Sequence, residues 1–113
     1  MASRTEQFGA LVTQQPGNAL FRFSLAQALV ADGRLAEAVV HFEFCAASKP
    51  DWMMPRILLG KLLNQLGRPE AARPVLADAL QLAIEQQHED PERELRALLL
   101  ELSGEKPKSQ QSG

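Results

Sequence analysis

A chain of 113 residues can close one hydrophobic core and is too short to divide comfortably into two. Its formal charge of −2, from 12 basic and 14 acidic residues spread along the chain, leaves no basic stripe for a polyphosphate backbone and argues against a nucleic-acid partner. Leu (18) and Ala (16) far outnumber the nine Val, Ile and Thr, which favours helix over sheet, and Cys45 is alone, so neither an internal disulfide nor a thiolate metal cluster can form.

An N-terminal helix is expected from about Arg4 to Gln14, turning Phe8, Leu11 and Val12 inward. Asn18 can cap the next helix, Ala19 to Ala31, and Gly33 permits a tight reversal into Leu35 to Ser48, where Leu35, Ala38, Val39, Phe42 and Ala46 share one face. Pro50 closes that unit. Helices are then expected from Met54 to Leu66 and from Pro69 to Gln87, with Gly67 between them, Pro69 in a tolerated first-turn position and Pro74 bending the second. A last helix, Pro91 to Leu102, would turn Leu95, Leu98, Leu99 and Leu102 inward and present Glu92, Arg93, Glu94, Arg96 and Glu101 outward. The tail 103–113 has no hydrophobic residue and is expected to be disordered. The longest apolar runs, such as Ile57 to Gly60 and Leu98 to Leu100, fall far short of the roughly 20 residues of a bilayer span. Met1 to Gln7 is polar and unlike a signal peptide, so a cytoplasmic protein is expected.

The sequence superimposes on itself at a shift of 34: Leu25 on Leu59, Ala26 on Gly60, Leu29 on Leu63, Gly33 on Gly67, Ala38 on Ala72 and Phe42 on Leu76. Carried backward, the shift takes Phe42 to Phe8, Cys45 to Leu11 and Pro50 to Pro16. One domain over 1–102 follows: a half-repeat at 4–16, repeats at 19–50 and 53–87, and a capping helix at 91–102.

The period, together with Leu25-Ala26, Leu29, Gly33, Ala38, Phe42 and Pro50 in the first unit and Leu59-Gly60, Leu63, Gly67, Ala72 and Leu76 in the second, resembles the tetratricopeptide-repeat pattern. The resemblance implies an all-α, right-handed stack of antiparallel helix pairs, an α-solenoid of about six helices. It departs from the family at Arg22 and Arg56, where a large aromatic is often found, and at Ile84, where a closing Pro would stand. The positions that in chaperone-binding members clamp a carboxylate are Phe23, Gln27, Met54 and Leu58 here, which argues against such a clamp.

The resemblance further implies that the first helix of each unit lines a concave groove, with Leu20, Phe23, Gln27 and Val30 from one unit and Met54, Ile57, Lys61 and Asn64 from the next. Another protein or peptide is the expected occupant, with Phe23 and Ile57 as half-exposed anchors. The rival reading is self-association, a second copy filling the groove or meeting a repeat end. Trp52 with Met53 and Met54 beside it is a soft apolar cluster that suits either packing under the inter-repeat loop, the favoured reading, or an adaptable binding surface. His41 and His88 lack partners at metal-ligand spacing, and Cys45 aligns with Ala79, a small buried position that implies an inert thiol. Without a phosphate loop, a paired acid and base or an activated nucleophile, neither enzyme activity, cofactor nor metal is expected.

Overall fold

Local signals set the helix ends in the computed structural model of the chain, which describes residues 2–104. Ser3 and Glu6 cap α1 (Arg4–Gln14) reciprocally: the Glu6 N–H donates to Ser3 Oγ at 3.1 Å, and the Ser3 N–H to Glu6 Oε1 at 2.9 Å. Asn18 starts α2 (Ala19–Ala31) by accepting the Phe21 N–H on its Oδ1 at 3.0 Å. The remaining helices are α3 (Leu35–Ser48), α4 (Met53–Gln65), α5 (Pro69–Glu85) and α6 (Glu89–Gly104).

The reversals share one device. Gly33 and Gly67 have φ of +79° and +80°, and the next residue reaches back, Arg34 N–H to Leu29 O and Arg68 N–H to Leu63 O, each at 2.9 Å. Gln87 does the same after α5, with φ +61° and a His88 N–H to Ala83 O bond of 2.9 Å, so α5 stops at Glu85 and not at the expected Gln87. Helix α6 begins at Glu89, ahead of the expected Pro91, because a proline in the first turn forfeits an N–H that needs no partner there. It also takes in Ser103 and Gly104, which were expected in the tail; residues 105–113 of that tail lie outside the described residues. Helix α5 runs on through Pro74, at an exposed position.

Each helix packs on the next, α1 on α2 through α5 on α6, giving a slab of 55 × 30 × 19 Å. Small residues bring paired helices close: Ala26, Ala38 and Ala72 are 0 % exposed, and a Cβ added to Gly60 would run into the Leu76 side chain. Phe42 and Leu76, each buried to 1 % exposure, fill the centres of the two pairs. The buried Thr5 ties α1 to the end of α2 by donating its hydroxyl to Asp32 Oδ2 at 2.6 Å.

Arg22 and Arg56, at the positions of the missing aromatics, join consecutive units. Each donates its Nε–H to the carbonyl of a preceding proline, Arg22 to Pro16 at 2.8 Å and Arg56 to Pro50 at 3.3 Å. Arg22 then lies 4.1 Å above the Phe44 ring, whereas Arg56 pairs at 3.4 Å with Asp78, the residue one period after Phe44. The same side chain thus keeps its backbone contact and exchanges a cation–π contact for an ion pair.

Candidate functional site in the groove of α2 and α4

Since α2 and α4 are the first helices of consecutive units, side chains spaced by 34 residues stand side by side between them. A pocket of about 390 Å³ opens there. Val30 and Ala31 of α2 and Leu58 and Leu62 of α4 give it apolar walls, Phe42 of α3 contributes from below, and Gln27, Lys61 and Gln65 add polar groups. Its size lies within the range of small-ligand and side-chain pockets, about 300–1,000 Å³.

Of the residues expected to line the groove, Gln27, Val30 and Lys61 line this pocket. Leu20 (61 % exposed) and Met54 (44 %) are exposed in the first turns of the two helices, and neither they nor the exposed Asn64 line the pocket. Phe23 is half-buried: its ring packs edge-on against Phe42 at 5.8 Å and tilted against Trp52 at 4.8 Å, so Trp52 packs against the groove helix from the inter-repeat loop.

Ile57 departs from the expectation. It is 5 % exposed and belongs to the hydrophobic core. It shares that core with Leu59, Leu62 and Leu63 of its own helix, whereas Phe23 packs against the core from outside. Glu94 also departs, since it turns from the outer face of α6 toward α4 and pairs with Lys61 at 2.6 Å. Both side chains of this pair are about half exposed, which limits it to about 0–1 kcal/mol and leaves it open to exchange. Leu58 and Gln65 belong to the pocket as well, and a periodicity signal existed for Gln65, which stands 34 residues after Ala31.

Burial shifts two titratable groups of α3, outside the pocket lining. Cys45 is buried, donates its thiol to the Ala19 carbonyl at 3.3 Å, and burial pushes its pKa up to about 11, which suppresses the thiolate. His41 is half-buried with its Nδ1 3.4 Å from Arg22; burial first and the guanidinium second lower its pKa. Among the described residues no group of three or more His, Cys, Asp or Glu is placed to hold a metal, and no helix is long and apolar enough to cross a membrane.

The family model for the tetratricopeptide repeat matches residues 19–43 and 53–78, in phase with the pairs α2–α3 and α4–α5. No curated protein matches the sequence. Among solved structures, the chain is similar in fold to the type III secretion translocator chaperone SycD of Yersinia enterocolitica, with 17 % identity and a TM-score of 0.83 over 90 % of this chain and 71 % of that one. A tetratricopeptide repeat domain protein of Salinibacter ruber shares 26 % identity, with a TM-score of 0.70 over 77 % of this chain and 98 % of its own. The TPR2B domain of yeast Sti1, in complex with pHsp70, is similar at 17 % identity and a TM-score of 0.77 over 89 % of this chain and 81 % of that one. The chain thus carries two matched tetratricopeptide repeats, in phase with its helix pairs, on a fold shared with known repeat proteins.

Proposed function

We propose that the chain is a protein-interaction module that seats a peptide segment or helix of another protein in the groove between α2 and α4. The observation that carries this reading is the 390 Å³ pocket, where aliphatic walls meet side-chain amides and an ammonium group. Such a lining suits one apolar anchor held among main-chain groups: the walls reward burial, while Gln27 and Gln65 can each donate and accept. One large aliphatic anchor contributes about 1.5–3 kcal/mol before ordering costs, which matches a reversible contact. The Sti1 domain in complex with pHsp70 and the chaperone SycD put the same fold to work on other proteins, which supports a protein partner by analogy of fold.

The chain is assigned no catalysis and no cofactor. Cys45 is held as the thiol, and a reducing cytoplasmic setting accords with that single buried group. Residues 1–102 would act as one unit, since the packing of each helix on the next leaves no break between α1 and α6.

Ala31→Trp tests the reading. Ala31 is exposed at the end of α2 and lines the pocket, so an indole there fills the cavity without entering the core. Capture of a partner from the native source should be lost with the variant while its melting temperature stays that of the wild type. Undiminished capture by the folded variant would remove the pocket from the function.

A further inference from the structure

The two ends of the stack are half-built repeats. Helix α1 is of the second-helix type and α6 of the first-helix type, and among the described residues neither has the other half of its repeat. The hydrophobic residues record this. Phe8 and Leu11 stand one period before Phe42 and Cys45, yet are only half-buried where those two are 1 % and 0 % exposed. At the other end α6 starts 36 residues after α4, two more than the period, and in that register Leu95 is buried as Leu25 and Leu59 are and Leu99 aligns with the buried Leu29 and Leu63; Leu99 itself is half-open, beside the exposed Leu100. If a second copy laid its α1 against α6, the two halves would complete a repeat, and a head-to-tail contact of that kind does not close on itself but grows.

Two residues stand against that assembly. In the internal repeats these positions hold small, enclosed residues: Ala26, Ala38 and Ala72 are 0 % exposed, and Gly60 leaves no room for a Cβ beside Leu76. Gly60 follows Leu59 as Arg96 follows Leu95, and Arg4 lies 34 residues before Ala38. At both ends, therefore, the position that holds at most a methyl group inside the stack carries a guanidinium. Arg96 is held along α6 by Glu92, whose Oε2 accepts from its Nε–H at 3.0 Å and lies 2.9 Å from its Nη2, and both Arg4 and Arg96 are exposed.

We propose that Arg4 and Arg96 prevent copies of this chain from stacking end to end. Juxtaposing α1 and α6 in the internal geometry would press each long side chain into a gap built for Ala or Gly and would take two like charges out of water together. Either guanidinium alone is enough to block the junction. The half-open Phe8, Leu11 and Leu99 can then remain at the ends without recruiting a neighbour.

The test is sedimentation velocity of the full chain from low to high micromolar concentration, with circular dichroism to confirm helical content. The wild type, Arg4→Ala and Arg96→Ala should each keep one sedimentation coefficient throughout. Arg4→Ala/Arg96→Ala should grow with concentration into an open series of dimers and longer species, and Arg4→Lys/Arg96→Lys should behave as the wild type. Alanine is the best helix former and both sites are exposed, so these variants fold. A double alanine variant that keeps the wild-type coefficient at every concentration would overturn the proposal, as would open-ended growth of the wild type or of either single variant.

Discussion

Gln87 holds φ at +61°, a region that costs a residue bearing a Cβ about 1–2 kcal/mol, while Gly33 and Gly67 meet the same demand freely. Gln87→Gly is expected to stabilise the protein by about 1 kcal/mol, raising its melting temperature by about 4–8 °C in a thermal scan. Gly67→Ala should lower stability by about as much. No atom stands within 4 Å of a Cβ placed there, so the loss would report backbone strain alone. His41 sets a pH dependence. Its pKa lies below the ordinary 6.5, so the folded chain favours the neutral ring and the unfolded chain takes up the proton first as pH falls. The associated stability is present above pH 6.5 and is lost as pH drops toward the lowered value. Glu37, also lowered through its Arg34 hydrogen bond, acts only below its ordinary 4.5, in a separate window. Urea midpoints measured against pH should therefore fall below 6.5 in the wild type and stay flatter in His41→Gln.

Helix positions follow from residues whose physics is local. Asn18, Gly33, Pro50, Gly67 and Pro69 each set a helix end where the sequence places it, and five of the six helix starts fall within one residue of expectation. The end of α5 was not legible, because its left-handed turn is made by Gln87 and carries no glycine to mark it. Nor was the use of Arg22 and Arg56. A charge in place of a buried aromatic reads as a loss until the Pro16 and Pro50 carbonyls, supplied by the loops before each unit, come within reach. These joints carry a prediction. Arg56, with its side chain 19 % exposed, bonds two backbone carbonyls, those of Pro50 and Ala46, so Arg56→Ala should cost about 1.5–3 kcal/mol in denaturant unfolding. Arg56→Lys should recover little, since an ammonium cannot span the same acceptors. Helix α6 has its own role: Leu95 and Leu102 are 0 % and 6 % exposed, and Arg73 donates to the Leu102 carbonyl at 3.0 Å. A chain ending at His88 should therefore melt or aggregate, whereas one ending at Gly104 should match the full chain in melting temperature.

At the scale of the molecule, the 34-residue period pairs α2 with α4 as the first helices of consecutive units, and a pocket opens between them. The period did not tell which side chains stay open. Phe23 and Ile57 are equivalent in the repeat, yet one is half-buried and the other core, so phase in the repeat does not by itself set burial. Ile57→Asp should accordingly unfold the chain, as should Leu29→Asp and Leu63→Asp, by burying a carboxylate without a partner in a domain of about 5–15 kcal/mol total stability. The proposed binding surface rests instead on Gln27, Val30, Ala31, Leu58, Lys61 and Gln65, which line the pocket. The most direct measurement is a chemical-shift map. Peptides selected from a random display library against the folded chain would be titrated into 15N-labelled protein, wild type and Ala31→Trp. The account predicts amide shifts centred on Gln27, Ala31, Leu58, Lys61 and Gln65, and none of comparable size in the variant. Shifts centred on the exposed faces of α3 and α5, or an unchanged map in Ala31→Trp, would contradict it.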